Sequence, residues 1–384
     1  MPADPKSVRV YISGTQNSNI GKTESILESE NMSQAEEQKR AMYARLNAIE
    51  SDISLVLATV NSARNNIAHV EGSVVSLPSR LSKVRERGYA AMGHLEKNVG
   101  LLSEKWTEVS PSVKQALAVS IEPLAAQANG LRTETRGLQT LIDSGNIPYS
   151  QSLANRLSPA ASSLRARAAS EEDKVNTPLC QLNSSINSLD QDLKVAEQTI
   201  EFFSQANFPL KPEESPVLAV TGKILKGDKN KGTLYFTNQR FVFEATKEVV
   251  LEKKLFIVTK KKIERVVQIN QPIGALKEVS KGRVGLIAWT GIYVRFKPDS
   301  REEDAQFDVE GWEADLITRF FDYIIDGDAE KDIAELKGTS ATAAAPPPIQ
   351  VVTCSRCFAP YTREIFKGQK TVQCEYCGAQ IVVQ

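Results

Sequence analysis

The sequence predicts a multidomain α + β chain. It reads as a long antiparallel helical coiled coil, a small β-barrel with a C-terminal capping helix, and a small cysteine-held module. Three observations carry this reading. Apolar residues recur at spacings of 4 and 3 from about residue 35 to 205. The period switches to 2 near Phe208. Two CxxC pairs then fall within residues 350–384. At 384 residues the chain exceeds one compact domain. The boundaries read as a flexible segment 1–32, helices 33–205, a β-rich domain 208–335, an Ala/Pro linker 338–349 and the cysteine module 350–384.

Composition bounds the function. Lys plus Arg and Asp plus Glu both count 47, which excludes a chain-wide polycation built for nucleic acid. Aromatics are only 7%, a level that suits long amphipathic helices. No apolar run approaches the ~20 residues needed to cross a bilayer. The start, MPADPKSVRV, lacks the apolar core of a secretory signal. A cytoplasmic protein is expected, one that meets membranes only peripherally. VRVYIS (8–13) is a candidate strand. Gly14 to Thr23 looks like a phosphate loop, but the glycine needed five residues before Gly21 is Gln16.

The first helical stripe is Met42, Leu46, Ile49, Ile53, Val56, Val60, Ala63, Ile67, Val70 and Val74. It resumes at Leu81 and Val84, then at Met92, Leu95, Val99, Leu102, Trp106 and Val109. A third run is Leu117, Ile121, Leu124, Ala128, Leu131, Thr135, Leu138 and Ile142. A fourth runs Leu179, Leu182, Ile186, Leu189, Leu193, Ala196, Ile200 and Phe203. Such stripes need partner helices, from the same chain or from a homo-oligomer. Ser76-Leu-Pro-Ser79 and Ser110-Pro-Ser112 read as helix starts, each a Ser cap followed by Pro. Ser144-Gly-Asn-Ile-Pro148 reads as a turn. Pro123, Pro159 and Pro178 are expected to kink or restart helices. Cys180 is expected beside the seam as a buried or half-buried thiol, and His69 and His94 as helix-surface residues.

Eight apolar or alternating segments follow: 217–225, 232–237, 240–245, 254–259, 264–270, 282–289, 291–297 and 305–310. Trp312, Leu316, Ile317, Phe320, Phe321, Ile324 and Ile325 then share one helical face. Strands followed by one helix is the order of a small barrel with a helix plugging one end.

Cys354-Ser-Arg-Cys357 and Cys374-Glu-Tyr-Cys377-Gly378 form two knuckles whose four thiolates suit a tetrahedral Zn²⁺ shell. Four protein ligands leave no position for water, so one structural zinc per chain is expected, without catalysis. So few residues cannot fold on their own core, so metal binding would be their folding energy. The segment resembles a zinc ribbon.

The β-rich segment resembles a GRAM/PH-like domain. Gly232-Thr-Leu-Tyr-Phe-Thr237-Asn-Gln-Arg240-Phe-Val-Phe243 carries the resemblance, with the Trp312–Ile325 helix standing where that family puts its closing helix. The resemblance implies a binding module for lipid headgroups or protein surfaces. Lys223, Lys226, Lys229 and Lys231 lie in the first strand and its hairpin loop, where such domains often hold phosphorylated headgroups. Lys260, Lys261 and Lys262, with Lys253 and Lys254, form a second cluster. Near a surface such lysines attract anionic lipid at ~1 kcal/mol each, although lysines also guard exposed strand edges.

No triad or phosphate cradle is present, and no enzyme is expected. The parts read as a non-enzymatic adaptor or scaffold. The coiled coil extends or oligomerises, the PH-like domain docks to an anionic membrane or a protein, and the ribbon makes a further protein contact. The combination resembles membrane-trafficking adaptors of the ESCRT-II type, from which the longer cysteine spacing departs. The alternative is a nucleic-acid or transcription-associated factor reading through Arg356, Arg363, Lys367 and Lys370 of the ribbon, with Phe358, Tyr361 and Phe366 for stacking.

Overall fold

A computed structural model describes residues 17–227, 229–254, 257–285, 289–300, 302–338 and 352–383, without the side chains of 17–33 and 248–262. The candidate strand 8–13 and the linker from 339 lie outside the described residues. The chain divides into two compact units, Met1–Val70 with Thr107–Gln181 and Glu71–Trp106 with Leu182–Gln384.

Four α-helices come first: α1 (Asn17–Glu86), α2 (His94–Ala116), α3 (Glu122–Asp143) and α4 (Ile147–Ser204). One π-helical turn, Leu117–Ile121, joins α2 to α3. Helix α1 begins ahead of the boundary expected at 33. In the first unit the helix directions follow from side-chain pairs. Arg45 meets Asn155, Asp52 meets Ser162 and Asn66 meets Asn176, each pair 110 residues apart. A constant separation means α1 and α4 run parallel and in step. Tyr43 meets Asp143 across 100 residues and Arg64 meets Glu122 across 58, so α1 and α3 run antiparallel. The helices are thus not all antiparallel, because an up-down-up path returns α4 to the direction of α1. In the second unit Arg80 bonds Asp190 at 2.6 Å, again 110 residues on, and grips Glu197 at 2.9 and 3.0 Å.

The whole stripe from Met42 to Val74 is buried, and the chain's own helices bury it. Two expected helix starts are corrected. α1 runs through Pro78 and α2 through Pro111. Beside each proline a serine hydroxyl bonds back to the preceding turn, Ser76 Oγ to the Ser73 carbonyl and Ser112 Oγ to that of Val109. Burial of Leu77, Leu81 and Val84 around Pro78 outweighs the lost helical hydrogen bond. Pro159 and Pro178 likewise lie inside α4, while Pro123 sits in the first turn of α3, where no donor is needed. The break falls instead at residues 87–93, where Gly88 has φ +93°. There Arg85 donates to the carbonyls of Tyr89, Ala91 and Met92 at 2.8, 2.7 and 3.0 Å, and pairs with Glu96 at 2.6 Å. The turn expected at 144–148 is present over 144–146, with Gly145 at φ +74°, and α4 already begins at Ile147. His69 and His94 are exposed, as expected. Cys180 is exposed within α4, not buried, because the seam passes through Leu179 and Leu182.

Seven strands follow: β1 (Pro216–Ile224), β2 (Lys231–Thr237), β3 (Arg240–Lys254), β4 (Ile257–Pro272), β5 (Leu276–Val284), β6 (Trp289–Phe296) and β7 (Ala305–Asp308). They form one antiparallel sheet in the order β4-β3-β2-β1-β7-β6-β5. The barrel expected from the sequence is not closed, since β4 and β5 stand at opposite ends of the ladder. Only a short 3₁₀ turn, Ile273–Ala275, connects them in sequence. Two strand assignments also change. Lys254, residues 257–259 and segment 264–270 belong to the β3–β4 ladder, which runs from Arg240↔Pro272 to Lys254↔Ile257; 255 and 256 lie outside the described residues. The ladder is a backbone property, so the polar Lys260–Lys262 run stays in it, with the register shifting on either side of Glu252, opposite Lys260. Of segment 282–289, residues 282–284 end β5 and Trp289 begins β6, Gly285 has φ +69°, and 286–288 lie outside the described residues.

Phe236, Phe241, Phe243 and Phe307 fill the core of the sheet. Helix α5 (Gly311–Ile325) closes it with Leu316, Ile317, Phe320, Phe321 and Ile324 buried. Trp312 and Ile325 are not on that buried face, and Ile325 at the end of the helix is exposed. Trp312 is 54% exposed, and its Nε1 donates to Glu310. A further helix, α6 (Asp328–Leu336), follows. On the other face of the sheet, Tyr235 packs edge-on to Phe203 and Phe208, so the end of α4 seats directly on β1, β2 and β3. The Tyr89 hydroxyl donates to the Val217 carbonyl at 3.0 Å, joining the 87–93 break to β1.

Candidate metal centre and lysine turn

The ribbon is built from two matching knuckles. In the first, the Phe358 N–H bonds the Cys354 carbonyl at 2.9 Å and the Cys354 N–H bonds the Ala359 carbonyl at 2.9 Å. In the second, Gly378 bonds Cys374 at 3.0 Å and Cys374 bonds Ala379 at 2.8 Å. Both knuckles turn through the left-handed region, Phe358 at φ 58° and Gly378 at φ 72°. Gly378 marked its turn in the sequence; Phe358, holding the equivalent place with a Cβ, did not. Two short strands, β8 (Thr371–Gln373) and β9 (Gln380–Val382), pair behind the second knuckle.

The knuckles bring all four sulfurs together. The Sγ atoms of Cys354, Cys357, Cys374 and Cys377 lie within 4.8 Å of one another, with 354–377 at 3.6 Å and 357–374 at 3.5 Å. A tetrahedral shell with metal–sulfur bonds of about 2.3 Å needs sulfurs about 3.8 Å apart, so the donor set fits a single ion. Backbone N–H groups of Cys357 and Arg356 point at the Cys354 sulfur and pull that thiol down to about 6. Those of Cys377 and Tyr376 lower Cys374 in the same way. Such donors favour thiolates, the form that binds metal. The buried core beside the cysteines adds only Val372 and Ile381.

The ribbon is seated on the sheet. The Gly274 N–H donates to the Lys367 carbonyl at 3.0 Å. Lys367 Nζ donates to the Ile324 carbonyl at 2.5 Å and pairs with Glu330 at 3.0 Å. Lys370 pairs with Glu213 at 2.8 Å, and Lys297 with Glu364 at 2.7 Å. Phe366 is buried under Lys297, whose ammonium lies 5.4 Å from the ring centroid. Gly368, at φ +82°, lies so close to the β2–β3 turn that a Cβ there would stand 2.0 Å from the Gln239 carbonyl oxygen. None of these docking residues was singled out in the sequence for this role. The ribbon's expected nucleic-acid basics are largely engaged: Arg363 pairs with Glu375, and Lys367 and Lys370 pair with carboxylates of the sheet domain.

The Thr237–Arg240 turn is held by a carboxylate that the motif does not contain. Arg240 Nε and Nη2 grip Glu214 at 2.7 and 2.8 Å, and both side chains are buried. Thr237 Oγ1 donates to Glu214 at 2.7 Å, and the Arg240 N–H donates back to Thr237 Oγ1 at 2.8 Å. The guanidinium also donates to the Pro209 carbonyl at 2.9 Å and sits over Phe208. Burial raises the Glu214 carboxyl, but the Arg240 pair and the hydrogen bonds from Lys211 N–H and Thr237 outweigh it, leaving it below the usual range.

The β1–β2 lysines occupy one turn. Lys223 stands directly opposite Lys231 in the ladder, and on its other side opposite Asp308. Lys229 adopts φ 47° in the turn. Lys226 pairs with Glu303, while none of the described carboxylates forms an ion pair with Lys223, Lys229 or Lys231. Lys260, Lys261 and Lys262 lie on the β4 backbone, with side chains outside the described residues. No helix among the described residues is long and apolar enough to cross a membrane.

No family model and no curated protein matches the chain. Among solved structures it is similar to the Vps36 N-terminal PH domain, at 13% identity over 31% of this chain and 86% of that one, with a TM-score of 0.21. It is similar to autoinhibited Vav1 at 10% identity, over 72% and 57% of the two chains, TM-score 0.26. It is similar to the N-terminally truncated linker-DH/PH domains of p115-RhoGEF at 9% identity, over 76% and 98%, TM-score 0.19. Likeness this low does not fix the fold; the strand pairing of the chain itself does. That pairing and the thiol cluster establish a seven-stranded antiparallel sheet with a closing helix and a four-cysteine site compatible with one metal ion, in a chain that also holds long helices.

Proposed function

We propose that the protein is a non-enzymatic adaptor whose GRAM/PH-like sheet docks on an anionic membrane surface. The observation that carries this is the Lys223–Lys231 pair. Like charges directly opposite in a ladder destabilise it; Asp308 faces Lys223 and Glu303 holds Lys226, which leaves Lys231 and the turn residue Lys229 without a carboxylate partner among the described residues. A ligand that brings negative charge relieves that repulsion. The ribbon holds structural zinc at Cys354, Cys357, Cys374 and Cys377, and all four ligands come from protein, so the metal supplies folding rather than catalysis. The helices set length, and cytoplasmic, peripheral placement follows from the docking role.

Co-sedimentation of the full chain with phosphatidylcholine vesicles, with and without phosphatidylserine, tests the docking. Binding is expected only to the anionic vesicles and falls as salt shortens the ~10 Å Debye length. Lys229→Glu with Lys231→Glu should abolish it without lowering thermal stability, since both side chains are exposed. A wild-type chain that ignores anionic vesicles at low salt makes the sheet a protein-docking surface instead. For the metal, elemental analysis should give about one zinc per chain.

A further inference from the structure

The ribbon touches the sheet domain through a loop that its own small core holds at Ile365. Residues 364–370 reach the sheet at Gly274, Gln239, Ile324, Glu330 and Lys297. Two of these approaches are backbone against backbone. A Cβ on Gly274 would stand 2.3 Å from the Lys367 nitrogen, and one on Gly368 would stand 2.0 Å from the Gln239 oxygen. Contacts this close require the loop to hold one shape. The loop runs directly into β8 and Cys374, whose cluster among the described residues fully buries Cys354, Val372, Cys374 and Ile381 and half-buries Ile365 and a few others beside them. A core of that size cannot fix the loop without the metal.

We infer that metal occupancy of the cysteine site latches the ribbon onto the sheet, so that loss of the ion uncovers Gln239, Gly274 and the end of α5. This rests on the structural-zinc reading above. The knuckles stay outside the latch: Phe358 and Tyr376 are 81% and 70% exposed. The Lys367 ammonium is the latch's outer tie. It caps the Ile324 carbonyl in the last turn of α5, where a cation also meets the negative end of the helix dipole. Metal loss therefore changes the surface of the sheet domain as well as the ribbon.

Hydrogen exchange on the full-length protein, loaded with zinc and then stripped with EDTA, tests this. The Gly274 amide, bonded to the Lys367 carbonyl, should exchange at least about tenfold faster after stripping, while β6 amides keep their protection. Gly368→Ala separates the latch from the metal: zinc stoichiometry should stay at about one per chain, with the Gly274 amide already fast. Failure to bind zinc at all sinks the metal reading and this inference together. Zinc bound and removed with no change at Gly274 overturns the latch alone, as does Gly368→Ala with Gly274 still protected.

Discussion

At the scale of single residues, the Arg240–Glu214 pair decides how firmly the β2–β3 turn is held. Both partners are buried, so removing one strands the other without water. Glu214→Gln should destabilise the protein by about 3 kcal/mol or more, read from urea unfolding followed by tryptophan fluorescence. The pH dependence follows from the lowered Glu214 carboxyl. Its stabilisation is fully present above the unfolded value of about 4.3 and fades as pH falls through the folded value. The gap between wild type and Glu214→Gln should therefore be widest near neutrality and narrow below about pH 4; a gap independent of pH would contradict the assignment. Thr237 and Arg240 were legible because turn chemistry is local. Glu214 was not, since its link to Arg240 spans 26 residues and leaves no local pattern. The four cysteines were legible for the opposite reason, because metal-ligand spacing is itself the signal.

At the scale of elements, periodicity located the helices and punctuation misplaced their ends. Ser-Pro pairs at 76–79 and 110–112 look like starts, yet the apolar stripe continues through them and burial prevails. The actual break at 87–93 falls where the stripe leaves a gap between Val84 and Met92, a weaker mark than a proline. The seam reading has a direct test. Ile53 is fully buried in α1, and Ile53→Asp places a charge there with no partner. A loss on the order of 4 kcal/mol is expected, seen as a lower melting temperature by circular dichroism at 222 nm. An unchanged melt would mean the seam is wet. In the sheet, alternation located β1, β2, β6 and β7 but missed most of β5 and the far half of β3, and it could not say whether the ladder closes, because β4 and β5 follow each other in sequence yet stand at its opposite ends.

At the scale of the whole molecule, the parallel pairing of α1 and α4 has a consequence for biosynthesis. Residues that meet across the two helices are 110 apart, so the ribosome delivers α1 long before its parallel partner. At about 5–20 residues per second the wait is roughly 5–20 s. α2 and α3 emerge first and cover one flank of the α1 seam, while the other flank stays open to water and to chaperones. Nascent chains stalled at Asn146, before α4, should bind a hydrophobic dye strongly, and chains extended past Ser204 should bind it weakly. A stalled chain that leaves the dye dark would show the seam already closed. Otherwise Ile147–Ser204 acts as the late closing strip of the bundle, and substitutions there should lower the yield of folded protein more than their equilibrium cost implies.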